Sequence, residues 1–243
     1  MPAVAASKKG KKWREAAKYI DFDKFYGVEE AIKLAKQIHP AKFDETVEVH
    51  IKTGLDPRHA EQQIRGSTVL PHGLGKVMRV LVFTEGEPAS IARAAGADFI
   101  GSDDLIKQVE GGWTDFDVAI ATREMMGRVG RLGRILGPRG LMPNPRSGTV
   151  VAPEDIARAV NEAKQGRVEF RLDRLANIHV PVGKVSFDET QLKENFGAFF
   201  EAIAAAKPRE SKGQYIRSVT LTTTMGPGIP LDLQQALAAK QVG

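Results

Sequence analysis

Short apolar runs alternate with helix-patterned segments through the middle of this 243-residue chain, and that rhythm restricts its fold more than any other feature. The stretch VMRVLVF at 77–83 reads as a strand, and 88–95 as a helix with Pro88 in its first turn and Gly96 just past its end. A short strand near Asp98 to Ile100, a helix opened by Ser102, Asp103 and Asp104, and the strand DVAIA at 117–121 follow. Successive parallel strands need long crossovers, which helices supply, so the pattern predicts a small parallel α/β unit. Farther on, PEDIARAVNEAKQG predicts a helix with Pro153 near its start, acids in its first turn and Gly166 at its end.

The flanks have a different texture. In VEEAIKLAKQI at 28–38, Val28, Ala31, Leu34, Ala35 and Ile38 share one helical face, and Pro40 limits the helix. At 46–52, Val47, Val49 and Ile51 alternate with Thr46, Glu48, His50 and Lys52, the pattern of a strand with one core face and one wet face. Strands are expected at 168–171 and 178–182, a helix at 187–206, and a last strand, YIRSVTLTTT, at 215–224. The stretch PRHAEQQIRGSTVLPHGLGK reads as polar and turn-rich. The expectation is therefore an α/β chain of two domains. One is discontinuous and α+β-like, from 1–69 and 160–243 with a basic tail at 1–14, and the other is a three-layer domain inserted at 70–159.

Composition narrows the function classes. With 35 basic and 30 acidic residues the net charge is +5, which favours a polyanionic partner. The absence of cysteine excludes disulfides, zinc-thiolate sites and thiol nucleophiles. No apolar run approaches the ~18 residues of a membrane span. The start MPAVAASKKGKKWRE lacks the apolar core of a secretory signal, so a cytoplasmic location without membrane partners is expected. Lys8, Lys9, Lys11, Lys12 and Arg14 precede the first acid, Glu15, which fits either a mobile phosphate-contacting arm or a solubilising tail.

Two segments bear on ligands. Residues 123–150 hold six arginines, six glycines and one acid, Glu124. Guanidinium groups form two-pronged bonds with phosphate, so Arg128, Arg131, Arg134, Arg139 and Arg146 are candidate phosphate contacts, set against a plain solvated basic loop. In the last strand, Val219 and Leu221 take one face, while Ser218, Thr220, Thr222 and Thr224 form a hydroxyl row that runs into Met225 and Gly226. Such a row suits 2′-hydroxyl and phosphate contacts to RNA, and it also suits an ordinary exposed strand.

Other chemistries fit poorly. HGLGKV at 72–77 has Leu70 where a phosphate loop needs glycine and Val77 where it needs Ser or Thr, and no dinucleotide glycine fingerprint follows a strand. His39, His50, His59, His72 and His179 show no metal spacing, and Asp103 and Asp104 suit a helix start, so neither a metal, a cofactor nor a catalytic residue is expected.

The blocks KFDETVEVHIKTGLDPR, IRGSTVLPHGLGK, LGRILGPRGLMPNPRSGTV, GRVEFR and TTTMGP, spread in order from about Trp13 to Asp232, resemble the bacterial large-subunit ribosomal protein L-one family. That resemblance implies a Rossmann-like domain inserted by a hinge into a terminal domain. It implies binding to 23S ribosomal RNA in the mobile stalk at the tRNA exit site, help in releasing deacylated tRNA, repression through the protein's own operon mRNA, and contact with other ribosomal components. Carried over by residue, the RNA surface comprises Lys42, Phe43, Thr46, Glu48, Ser218, Thr222, Thr224, Met225 and Gly226, with Arg167, Arg171 and Lys184 added on charge and position. Arg146 stands where many members have lysine, and RLDRLANIH at 171–179 lacks the glycine of the commoner turn.

Overall fold

The computed structural model describes residues 9–208, 211 and 213–238. In chain order the terminal part opens with helices α1 (Lys11–Ala17) and α2 (Val28–Ile38) and strands β1 (Thr46–Thr53) and β2 (Arg65–Val69). The middle follows as β3 (Val80–Phe83), α3 (Glu87–Ala94), β4 (Phe99–Gly101), α4 (Asp103–Glu110), β5 (Val118–Thr122), α5 (Met126–Val129), α6 (Gly133–Arg139), β6 (Val150–Val151) and α7 (Ile156–Gln165). The chain closes with β7 (Arg167–Arg171), β8 (Asn177–Lys184), α8 (Glu189–Ala205), β9 (Ile216–Thr223), β10 (Ile229–Leu231) and α9 (Leu233–Ala238). Two compact units result, one from the chain up to Gly75 and from Val168 onward, the other from Lys76–Arg167.

In the middle unit the sheet runs β4-β3-β5-β6, and every pairing is parallel. Alternation along the strands sends Leu81, Phe83, Ala119 and Ala121 into one core with Val109, Leu132 and Leu136. It sends Val80, Val82, Ile120 and Val151 into a second core with Ala92, Ile156 and Val160. Helices thus cover both faces, which is why these strands read as continuous apolar runs. Strand β3 begins at Val80 rather than at Val77, which is 87% exposed. The segment before it is anchored instead by the Asp117 carboxylate, which accepts from the Arg79 backbone N–H at 3.1 Å and from the Lys76 ammonium at 2.5 Å.

The terminal unit is built on an antiparallel sheet in the order β10-β9-β1-β8, beside a two-stranded β2-β7 sheet. Strand β1 pairs with both β8 and β9 and buries every second residue. Val47, Val49 and Ile51 meet Ile178, Val180, Val182, Val219 and Leu221, and α2 and α8 cover this side with Ile32, Ala35, Phe196 and Phe199. Full burial of each large apolar side chain contributes ~1.5–3 kcal/mol. Helix α8 starts at Glu189, not 187, because Asp188 forms a capping box with Gln191.

The turn-rich reading of 57–76 misses β2. Its residues are all half-buried, so no alternation is visible, and Gly66 sits where a Cβ would lie 2.6 Å from the Phe170 ring. The strand and helix after Gly228 were also not expected. Residues 1–8 of the expected basic tail lie outside the described residues. From Lys11 onward that tail is α1, with Ala16 buried, rather than a mobile arm.

Candidate nucleic-acid interface

Among the described residues nothing covers one face of the terminal unit's sheet, and strand parity decides what stands on it. On β1 these residues are Thr46, Glu48, His50 and Lys52, all half-buried. Register places Thr222 and Pro181 on either side of Glu48, Thr220 and His179 beside His50, and Ser218 and Asn177 beside Lys52. Hydroxyls, an amide, a carboxylate and a lysine ammonium therefore form one polar surface.

At one end, β1 and the turn after β9 are tied together. The Thr46 N–H donates to the Thr224 hydroxyl at 2.9 Å, and the Thr224 N–H donates to the Thr46 carbonyl at 3.0 Å. The Lys184 ammonium donates to the Thr46 hydroxyl at 2.9 Å. Beneath them lies Glu45, wholly buried, whose carboxylate accepts from the Ala41 N–H at 2.7 Å and the Met225 N–H at 2.9 Å. Burial alone would raise its pKa, but the Met225 N–H, the Thr223 hydroxyl, the Ala41 N–H and the nearby His39 together outweigh it and hold the carboxyl below its usual range. The turn so fixed presents Met225, and the segment before β1 presents Phe43, each 56% exposed. Gly226 is required here, because a Cβ would lie 2.3 Å from the Thr223 hydroxyl. The Thr222 hydroxyl faces the turn carbonyls, the nearest being Thr223 at 3.1 Å.

In mid-face, His50 and His179 meet edge-on with Nδ1 atoms 2.7 Å apart, so one ring donates and the other accepts. Burial, then the neighbouring His179, pushes the His50 pKa down against the opposing pull of Glu48. At the far end, a cavity of ≈ 660 Å³ is lined by Lys52, Arg58, Arg174 and Arg217 among others.

The turn that lacks glycine keeps its shape by other means. Ala176 adopts φ 61°, in the left-handed region, and Asp173 accepts from the Leu175 and Asn177 N–H groups at 2.8 and 2.7 Å. Burial opposes ionisation of Asp173, yet these donors lower its pKa. Because a Cβ is strained at this φ, Ala176→Gly should stabilise the protein by ~0.5 kcal/mol, raising Tm by roughly 1–2 °C in a calorimetric scan. An unchanged or lower Tm would mean that the turn carries no strain.

Of the expected contacts, Lys42, Phe43, Thr46, Glu48, Lys184, Ser218, Thr222, Thr224, Met225 and Gly226 come together on or beside this face. Arg167 does not. Its guanidinium pairs with Glu162 at 2.8 Å, donates to the Gly148 carbonyl and is only 15% exposed. Arg171 is exposed on β7, in the other sheet of the unit.

The arginine- and glycine-rich segment is mostly helical rather than a loop: α5, a 3-10 turn at Gly130–Leu132 and α6 run on, burying Val129, Leu132 and Leu136. Arg128 is engaged by Glu85 at 2.6 Å and Asp103 at 3.1 Å, and Arg139 donates to the Thr114 hydroxyl. Arg131 reaches the Arg128 carbonyl at 3.5 Å. Neither Arg134 nor Arg146 forms an ion pair among the described residues. A Cβ at Gly127, Gly130, Gly133 or Gly137 would meet nothing within 4 Å, so internal packing does not require these glycines. Among the described residues no three His, Asp or Glu side chains gather in a way that could hold a metal, and no helix is long and apolar enough to cross a membrane.

A model of the ribosomal protein L1p/L10e family matches residues 8–227. The chain belongs to this family. Among curated members, the large ribosomal subunit protein uL1 of Thermomicrobium roseum is 56% identical over 227 residues, spanning 93% of this chain and 94% of its own length. Two residues that fix the turns beside this face were not singled out from the sequence, Glu45 and Asp173. Glu45 has the parity of Val47, Val49 and Ile51, and that phase is the signal by which a buried carboxylate there could have been found.

Proposed function

We propose that the protein is a non-enzymatic component of the large ribosomal subunit in the cytoplasm. In this reading it binds 23S rRNA through the open sheet face and forms the mobile stalk at the tRNA exit site. It assists release of deacylated tRNA and represses translation by binding its own operon mRNA. The two units act as hinged domains, the middle one Rossmann-like, and specific recognition belongs to the terminal one. The observation that carries this reading is the turn at Thr224–Gly226. There two mutual backbone and hydroxyl bonds to Thr46 and a buried carboxylate hold Met225 outward, with the exposed Phe43 before β1 and a row of hydroxyls. Shape-fixed hydroxyls with flanking apolar contacts suit ribose edges and bases, while Lys184, Lys52 and the basic cavity suit phosphates.

The test is a gel shift with a stalk fragment of 23S rRNA, with an unrelated hairpin as competitor at equal salt. Met225→Asp and Thr224→Ala should each weaken binding at least ~10-fold, equivalent to ~1.4 kcal/mol, whereas Arg139→Ala stays near wild type. Near-wild-type affinity for both terminal-unit variants would overturn the site. Equal affinity for both RNAs would reduce the protein to a general basic scaffold.

A further inference from the structure

Tyr19, Phe22 and Phe25 stand 71%, 45% and 62% exposed within seven residues. A folded protein seldom exposes such a group of rings without use. None of the three is needed by the core, which takes Ile20 and Tyr26 from the same segment instead. The backbone beneath them is fixed. The Tyr26 N–H donates to the Pro230 carbonyl at 2.9 Å and the Asp232 N–H to the Tyr26 carbonyl at 2.8 Å, so the segment bridges the β10 edge in parallel. The Tyr26 hydroxyl accepts from the Asp21 N–H at 2.8 Å, closing the loop that carries Phe22 and Phe25. Tyr26 is buried in the core while the neighbouring Phe25 stays exposed.

The charges around these rings indicate what they meet. From Lys9 to Phe25 there are six basic and three acidic residues. Lys11, Lys12, Arg14 and Lys18 are exposed on and just after α1, and none of them forms an ion pair among the described residues. Of the basic residues here, Lys24 is held by Glu30 at 2.6 Å. Exposed rings on a fixed backbone, close in sequence to lysines without ion pairs among the described residues, match the requirements of an unpaired nucleic-acid strand, whose bases stack while its phosphates are neutralised.

We propose that Tyr19, Phe22 and Phe25, with Lys11, Lys12 and Lys18, form a second RNA contact that takes an unpaired strand by stacking. It rests on the RNA-binding reading above and is separate from the hydroxyl face, where hydrogen bonds to a structured RNA dominate.

The test uses the full chain and two fluorescein-labelled probes, an unstructured 12-nucleotide oligo(A) RNA and the folded stalk fragment, with binding followed by anisotropy at fixed salt. Phe22→Ala/Phe25→Ala should lose at least ~10-fold affinity for the 12-mer and keep its affinity for the stalk fragment, with an unchanged melting curve. Thr224→Ala should do the reverse. Wild-type binding of the 12-mer by the double Phe variant overturns the proposal. Lys11→Glu/Lys12→Glu should also weaken binding of the 12-mer, and a loss in that variant with none in the double Phe variant overturns the proposal, since attraction without stacking would then suffice. If the Phe variant binds both RNAs normally but dissociates from purified large subunits, the patch is a protein contact and the RNA proposal fails. If wild-type protein binds the 12-mer but not the stalk fragment, the sheet-face reading fails while this one stands.

Discussion

Glu45→Ala should destabilise the terminal unit by ~2–4 kcal/mol and weaken stalk-RNA binding at least ~10-fold. The carboxylate is wholly buried and satisfies two backbone N–H groups, from Ala41 and Met225, on loops far apart in sequence. Removing it orphans both donors, at ~1–3 kcal/mol each. It also frees the turn that holds Thr224, Met225 and Gly226. Calorimetry and a gel shift on the same preparation check the two effects together, and a variant that melts like wild type yet fails to bind would show that Glu45 acts on RNA directly. The pH dependence has a definite sign. The folded pKa lies below the ordinary value of 4.5, so the contribution is complete above that value and is lost as pH falls through the folded pKa. The stability gap between wild type and Glu45→Gln should therefore narrow below about pH 4.5 and stay constant above it.

Asn195→Leu should cost ~2–5 kcal/mol, although the shapes are similar and the site is fully buried. The Asn195 amide accepts from the His72 N–H at 3.0 Å and donates to the carbonyls of Gly73 and Val182 at 2.9 and 2.8 Å. Leucine leaves all three groups unpaired, and each unsatisfied group costs ~1–3 kcal/mol, with the lower end applying where water can reach. Chemical denaturation gives the total, and hydrogen exchange localises it. The His72 amide should exchange at least ~100-fold faster if local opening becomes easier by ~3 kcal/mol. A loss below about 0.5 kcal/mol, the range of ordinary surface substitutions, would mean that water takes over these bonds.

Both residues show where reading along the chain stops. A carboxylate and an amide are scored as surface groups by composition, and only the backbone ends that converge on them explain their burial. The alternations of β1 and β9, by contrast, were legible, because a period of two assigns Thr46, Glu48, Ser218 and Thr222 to the face opposite Val47 and Val219 regardless of partner. The helices α2 and α7 were legible for the analogous reason. Strand β2 was not, since half-buried residues on every side leave no period, and Arg167 was misplaced because charge does not reveal that Glu162 and the Gly148 carbonyl claim it.

The arginine-rich segment illustrates the same division. Its charge was plain in the sequence, but Arg128 and Arg139 are engaged inside the middle unit and the buried Val129, Leu132 and Leu136 make the stretch a packed helical face.

What the sequence determined by itself was local: which residues share a helical face or a strand face, the parallel rhythm of the middle, and the motif blocks of the ribosomal family. These depend on periods and spacings along one chain. Tertiary structure decided which open face is polar across three strands and which carboxylate locks Met225 outward. It also decided which arginines are consumed internally and that three aromatic rings remain exposed at the β10 edge. Each of these depends on pairing between segments far apart in sequence, as where Glu45 joins Met225 beneath the open face, and no pattern within either segment encodes its partner.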